Sequence, residues 1–167
     1  MLAAVSLPGS GSAQSEDLLE CSTQAVTPAF RDKLADSMLA DDQAGEGLSE
    51  QLATISDECA GRYGLSDDQR DAYFTYSLAR LPRDALITRL GALGISAQVI
   101  DDALDFGTGR SNPQITGRLQ KPQIDKLLAA LTAAGVDVAA IADQSWTMIG
   151  AYAAASSLMW QNRARLR

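Results

Sequence analysis

Along most of this chain apolar residues recur three and four positions apart, the spacing that gathers them on one face of an α-helix. Phe30, Leu34 and Met38 share one such face, and Leu48, Leu52, Ile55 and Cys59 share another. Thr27-Pro28 puts a capping side chain before a proline at the first helical position, so a helix is expected to open there. Ahead of it, Ser15 is placed to cap a first helix running to about Gln24, and Asp41 to Gly47 reads as an acidic, glycine-containing loop. β-branched residues never cluster into a strand-like run, while Ala and Leu, both helix formers, dominate. The pattern is that of an all-α protein.

One local signal recurs. Gly64-Leu65-Ser66, Gly94-Ile95-Ser96 and Gly135-Val136-Asp137 each run glycine, branched apolar residue, then a capping side chain. Glycine reaches the left-handed conformation that ends a helix, and the apolar residue after it folds back on the last turn. That pairs Leu65 with Ala60, Ile95 with Leu90 and Val136 with Leu131, and the Ser or Asp then caps the next helix. Ser66 with Gln69 has the spacing of a capping box. Pro82–Ala103 and Pro122–Gln144 both read as proline, helix, elbow, helix, a candidate duplicated hairpin. Between them, Gly107 to Lys121 is irregular, and residues 138 to about 163 are expected to form a long last helix. Residues 16–167 should therefore make a single all-α domain of seven or eight helices joined by short Gly-containing elbows, ending in a long C-terminal helix.

Composition narrows the chemistry. Histidine is absent from the 167 residues, which excludes Ser-His-Asp and Cys-His catalysis and histidine-ligated zinc. Residues 1–106 hold 18 acids and 7 bases, whereas residues 107–167 hold 3 acids and 7 bases, within a net charge of −7. A surplus of +4 in the second part is too dilute for a phosphate-binding patch, so no nucleic-acid partner is expected.

The first fifteen residues look unlike the rest. Leu2-Ala3-Ala4-Val5-Ser6-Leu7 is apolar, Pro8 to Ser12 breaks it, and Ala13-Gln14-Ser15 sets small residues where a signal peptidase requires them. Residues 1–15 read as a residual signal peptide or leader, which points to the periplasm or the exterior. Cys21 and Cys59, the two cysteines, each fall on an apolar helical stripe, so a disulfide between the first and third helices is expected.

Three patterns could carry chemistry. Asp101, Asp102 and Asp105 spell Asp-Asp-x-x-Asp, and Asp67, Asp68 and Asp71 spell it again; on a helix, such carboxylates can hold Mg²⁺ against a diphosphate. The chain is too short for the deep apolar bundle that chemistry needs, and acids in a first helical turn are favoured by the dipole alone. No metal and no cofactor is therefore expected. Gly107-Thr108-Gly109-Arg110-Ser111 could fold into a nest of backbone amides with Arg110 as clamp, but reads better as a connector. Tyr63, Tyr73, Phe74 and Tyr76 cluster around the first elbow and are expected to pack.

The last helix carries no charge from Gln144 to Asn162, with Trp146 and Trp160 near its ends and Arg163, Arg165 and Arg167 at its close. That resembles a membrane span with aromatic belts, yet its middle is Gly, Ala and Ser, too weakly apolar to insert. A buried or partner-facing helix is the better expectation, with Gly150 and Ala154 permitting close approach. The expected function is an exported, non-enzymatic helical module that binds another protein or itself, through Arg110, Arg118 and Lys121 of the irregular segment and Trp146, Gly150, Ala154 and Trp160 of the helix. The alternatives are a membrane-tethered subunit held by residues 144–162 and, more remotely, a Mg²⁺-dependent enzyme. Sequencing of the mature N-terminus is expected to find residues 1–15 removed; an intact Met1 would count against export.

Overall fold

The structure, a computed structural model, describes residues 11–40 and 45–166. Among these residues the chain forms seven helices and no strand: α1 (Gly11–Ala25), α2 (Pro28–Ala40), α3 (Gly45–Arg62), α4 (Asp67–Ala92), α5 (Ala97–Leu104), α6 (Lys121–Ala133) and α7 (Asp143–Arg165). The start of the leader and most of the acidic loop lie outside the described residues. The remainder of each differs from expectation. Ser15 sits inside α1, not at its cap, and Gly45 to Gly47 already belong to α3.

α4 is the axis of the molecule, packing chiefly against α7 and also against α2 and α3. It is buried on several sides, with Ala72, Tyr73 and Tyr76 in its first half and Leu81, Leu86 and Leu90 in its second. Three cores surround it. Leu18, Leu19, Cys21, Cys59, Tyr73 and Tyr76 build the first, between α1, α3 and the end of α7. Val26, Leu34, Leu52 and Leu81 build the second, under α2 and α3. Leu86, Leu90, Ile100, Leu127, Leu131, Ile149 and Tyr152 join α4 to α5, α6 and α7 in the third.

Pro82 does not open a helix as its sequence context suggests; it lies inside α4. Proline in a helix interior costs about 3 kcal/mol, because it cannot donate to the carbonyl four residues back. Burying Leu81, Leu86 and Leu90 completely returns roughly 1.5–3 kcal/mol for each side chain, so packing on both sides overrides the local break. Pro122, by contrast, stands in the first turn of α6, where no partner is lost.

The elbows form largely as read. Gly64, Gly94 and Gly135 take φ of 66°, 74° and 84°. The fold-back amides reach the expected carbonyls: Leu65 to Ala60 at 3.0 Å, Ile95 to Leu90 at 2.9 Å and Val136 to Leu131 at 3.0 Å. Ser66 and Gln69 complete the capping box at the start of α4. Ser96 heads α5 without a side-chain cap bond. After the third elbow the helix waits. The Asp137 carboxylate accepts from the Ala139 amide at 3.1 Å, and residues 137–141 turn, with Val138 and Ile141 against the core, before α7 begins at Asp143. Pro82–Ala103 and Pro122–Gln144 therefore share an elbow but are not copies of one hairpin.

α7 explains its own lack of charge. Ile149, Tyr152, Ala153, Ser156 and Ser157 are buried, and the small ones let α7 lie close to α4. Ser157 also anchors the irregular segment, donating to the Pro113 carbonyl and accepting from the Ile115 amide, each at 2.9 Å. Gly150 and Ala154 are not at that contact. They are half-exposed, and a Cβ at Gly150 would meet nothing within 4 Å.

Cys21 and Cys59 form a disulfide joining α1 to α3, with Cα atoms 6.0 Å apart across a separation of 38 residues. Loop closure of that length stabilises by about 4 kcal/mol in the chain-entropy argument. Replacing both cysteines, Cys21→Ala with Cys59→Ala, is expected to lower the Tm by roughly 10 °C, measured by thermal melting. An unchanged Tm would mean that the bridge adds nothing to native stability.

Candidate functional site

Among the described residues, three open depressions border α7, and arginine lines each of them. The largest, about 640 Å³, lies over the second elbow, between Gly91, Gly94 and Ser96 on one side and Arg83, Asp101 and Tyr152 on the other. Arg83 leaves α4 toward α5 and α7. Its Nη2 donates to Asp101 Oδ2 at 2.7 Å and to Tyr152 Oη at 2.6 Å, while its Nε donates to Ser156 Oγ at 2.8 Å. Tyr152 in turn donates to Asp101 Oδ1 at 2.8 Å, and the guanidinium lies 4.8 Å from the centre of its ring. Burial pushes the Tyr152 hydroxyl and the Asp101 carboxyl up from their ordinary values, although Arg83 acts the other way on both. Arg83, Asp101, Tyr152 and Ser156 are bonded to one another, and the result is a polar clamp across three helices.

The second depression, about 360 Å³, is lined by Tyr76, Arg80 and Asp84 of α4, Glu20 of α1, and Trp160 and Arg163 of α7. Arg80 donates to Glu20 at 2.5 Å and to the Tyr76 hydroxyl at 2.6 Å. Asp84 meets only the far side of this guanidinium, at 3.5 Å, and burial pushes its carboxyl up despite Arg80 and Arg83 nearby. Arg80 thus fastens α1 onto α4.

The third depression, about 440 Å³, lies between the turn after α5 and the last turns of α7. Asp105 ends α5 in the left-handed conformation, φ 61°. Its carboxylate accepts from the Ser111 amide at 3.0 Å, and its carbonyl accepts from the Asn112 amide at 3.0 Å. Bonds from Ser111 hold the Asp105 carboxyl below the usual carboxylate range. The Asn112 side chain accepts from the Gly107 amide at 2.8 Å and donates to the Gly107 carbonyl at 2.9 Å. The sequence suggested a nest of amides around an anion; here the chain's own Asp105 takes one of those amides. Arg110 pairs with Asp102 and lies 3.9 Å from Asp105.

The Asp-Asp-x-x-Asp carboxylates do not converge. Asp101 faces Arg83 and Tyr152, Asp102 is exposed toward Arg110 and Gln98, and Asp105 braces its own loop. Among the described residues no group of three or more His, Cys, Asp or Glu is arranged to hold a metal ion. Of the residues singled out for interaction, Arg110 and Trp160 line the third depression together. Lys121 is exposed and paired with Asp125 at 2.7 Å, Arg118 is exposed elsewhere on the irregular segment, and Trp146 is half-buried against the α4–α7 core.

Three participants escaped sequence reading. Arg83 and Tyr152 lie 69 positions apart, and nothing local links them. Arg163 read as a flank of the last helix; its separation of three from Trp160 was the available signal, since that spacing stacks the two on one face. No family model, curated protein or solved structure matches the chain.

Removing one partner of a largely buried ion pair leaves the other uncompensated, at a cost of roughly 3 kcal/mol. Arg83→Met is therefore expected to destabilise by about that much, whereas Tyr152→Phe, which deletes one hydroxyl, should cost only about 1 kcal/mol. Urea unfolding of the two variants checks the order; equal losses would show that Arg83 is not the centre of the clamp.

Proposed function

We propose that this protein is an exported, disulfide-stapled helical module that works by binding another protein or by assembling with itself, without catalysing a reaction. The observation that carries this reading is the buried Cys21–Cys59 bridge, since such bonds form and persist in oxidising compartments such as the periplasm and the exterior. The polar clusters add support. The carboxylates, tyrosines and arginines that could do acid–base work hold one another across helices, and Asp101, Asp102 and Asp105 face different partners, which argues against the Mg²⁺-dependent alternative.

No helix among the described residues is long and apolar enough to cross a membrane. That favours partner contact over a membrane-tethered subunit as the use of the outward side of α7. This side is uncharged from Gly150 through Ala154 to Leu158, and Leu158 is 40% exposed. Size-exclusion chromatography with light scattering and affinity capture from the native compartment test the reading together. The expected outcome is an oligomer or a reproducible partner, lost in Leu158→Glu without a change in Tm. A strict monomer that captures nothing would overturn it.

A further inference from the structure

We infer that the third depression is a binding cleft for carboxylates, with Arg163 as its principal donor and Arg110 as the second. This goes beyond the assembly reading, since it holds with or without a protein partner and its failure would leave that reading standing.

Arg110 and Arg163 both line the cleft, from opposite sides, and no acidic side chain does. In a chain of net charge −7 that local composition runs against the whole. Elsewhere the pattern differs: the depression over the second elbow includes Asp101, and the one beside α1, which Trp160 and Arg163 also border, includes Glu16, Glu20 and Asp84. Arg163 is the distinctive group. Its guanidinium lies 4.8 Å from the centre of the Trp160 ring, and it makes no ion pair or side-chain hydrogen bond with any described residue. The ring holds the guanidinium at the cleft while its N–H groups stay without side-chain partners among the described residues, and such a fork suits a planar carboxylate.

Arg110 is already paired, but with partners that are easily exchanged. Its side chain is 37% exposed and those of Asp102 and Asp105 are 49% and 53% exposed, so these are surface pairs of little net worth. An incoming carboxylate can share or replace them. Neutral polar groups, among them Ser111 and Gln161, complete the lining, and Gly109 leaves room for close approach. Trp160, which lines the cleft, also keeps a buried indole N–H without an acceptor among the described residues. A volume of about 440 Å³ accommodates a small polycarboxylate or one or two acidic side chains of a peptide.

The test is titration calorimetry of the whole protein with two probes, citrate and an oligoglutamate peptide, with inorganic phosphate as comparator. Saturable binding of citrate identifies a free polycarboxylate as the source, and binding of the peptide alone identifies acidic side chains; either supports the cleft. Arg163→Met, which keeps an apolar stem against Trp160, is expected to weaken binding at least tenfold, about the loss of one charge-assisted hydrogen bond. Arg163→Lys should recover part of it. Arg110→Met should weaken it less. Arg165→Met, which removes an equal charge outside the cleft, should leave it unchanged. Circular dichroism and Tm confirm that each variant is folded. No binding of either probe, phosphate binding as tightly as citrate, or affinity untouched by Arg163→Met would each overturn the inference.

Discussion

An arginine buried in a helix interior needs acceptors to offset its desolvation, and of the four that α4 carries, three find them on neighbouring helices. Each reaches a different place. Arg70 returns to the Leu65 carbonyl of its own elbow, Arg80 takes Glu20 and Leu19 of α1, Arg83 takes Asp101 of α5 with Tyr152 and Ser156 of α7, and Arg89 takes Asp32 and Asp36 of α2. Apolar packing around Leu81, Leu86 and Leu90 supplies the driving force, but it is non-directional. The guanidiniums add direction, because a fork accepts partners only in its own plane. Arg80 and Arg83, the two whose pairs are the more buried, thereby help to set how α1, α5 and α7 sit about α4.

The same logic separates two kinds of depression. Where α4 lines the wall, its arginines are held by acids from the packed helices, and the surface there is the edge of an internal clamp. Where α4 is absent, between the turn after α5 and the end of α7, no acid lines the wall, and Arg163, which borders the second depression as well, rests on an aromatic ring without an ion pair among the described residues. The cationic character of that cleft follows from what does not surround it.

What could be read in the sequence was local. The glycine elbows were legible because a left-handed residue and an apolar fold-back lie within six positions of each other, and the structure places all three bonds where the pattern put them. The disulfide was legible because the two cysteines were alone and each lay on an apolar stripe. Pro82 was misread by a sound local rule that burial of its neighbours outweighed. The opening of α7 was misread because Asp137 takes the Ala139 amide in a turn, an alternative open to any Asp after a glycine. The Arg83 clamp was invisible, since its members come from three helices and their identity depends on the packing. Asp101 shows the difference most clearly: one residue of an acidic motif by spelling, it is an interior partner of arginine by position.

The bridge between Cys21 and Cys59 has a topological side as well. It closes a covalent ring that contains all of α2 and the connection from α2 to α3. A protease that cuts the backbone anywhere inside this ring does not divide the molecule, because the sulfurs still tie the two pieces together. A nicked chain thus stays one covalent particle, whereas after a cut between α5 and α6 only the packing of α6 and α7 on α4 and α5 holds the two pieces together.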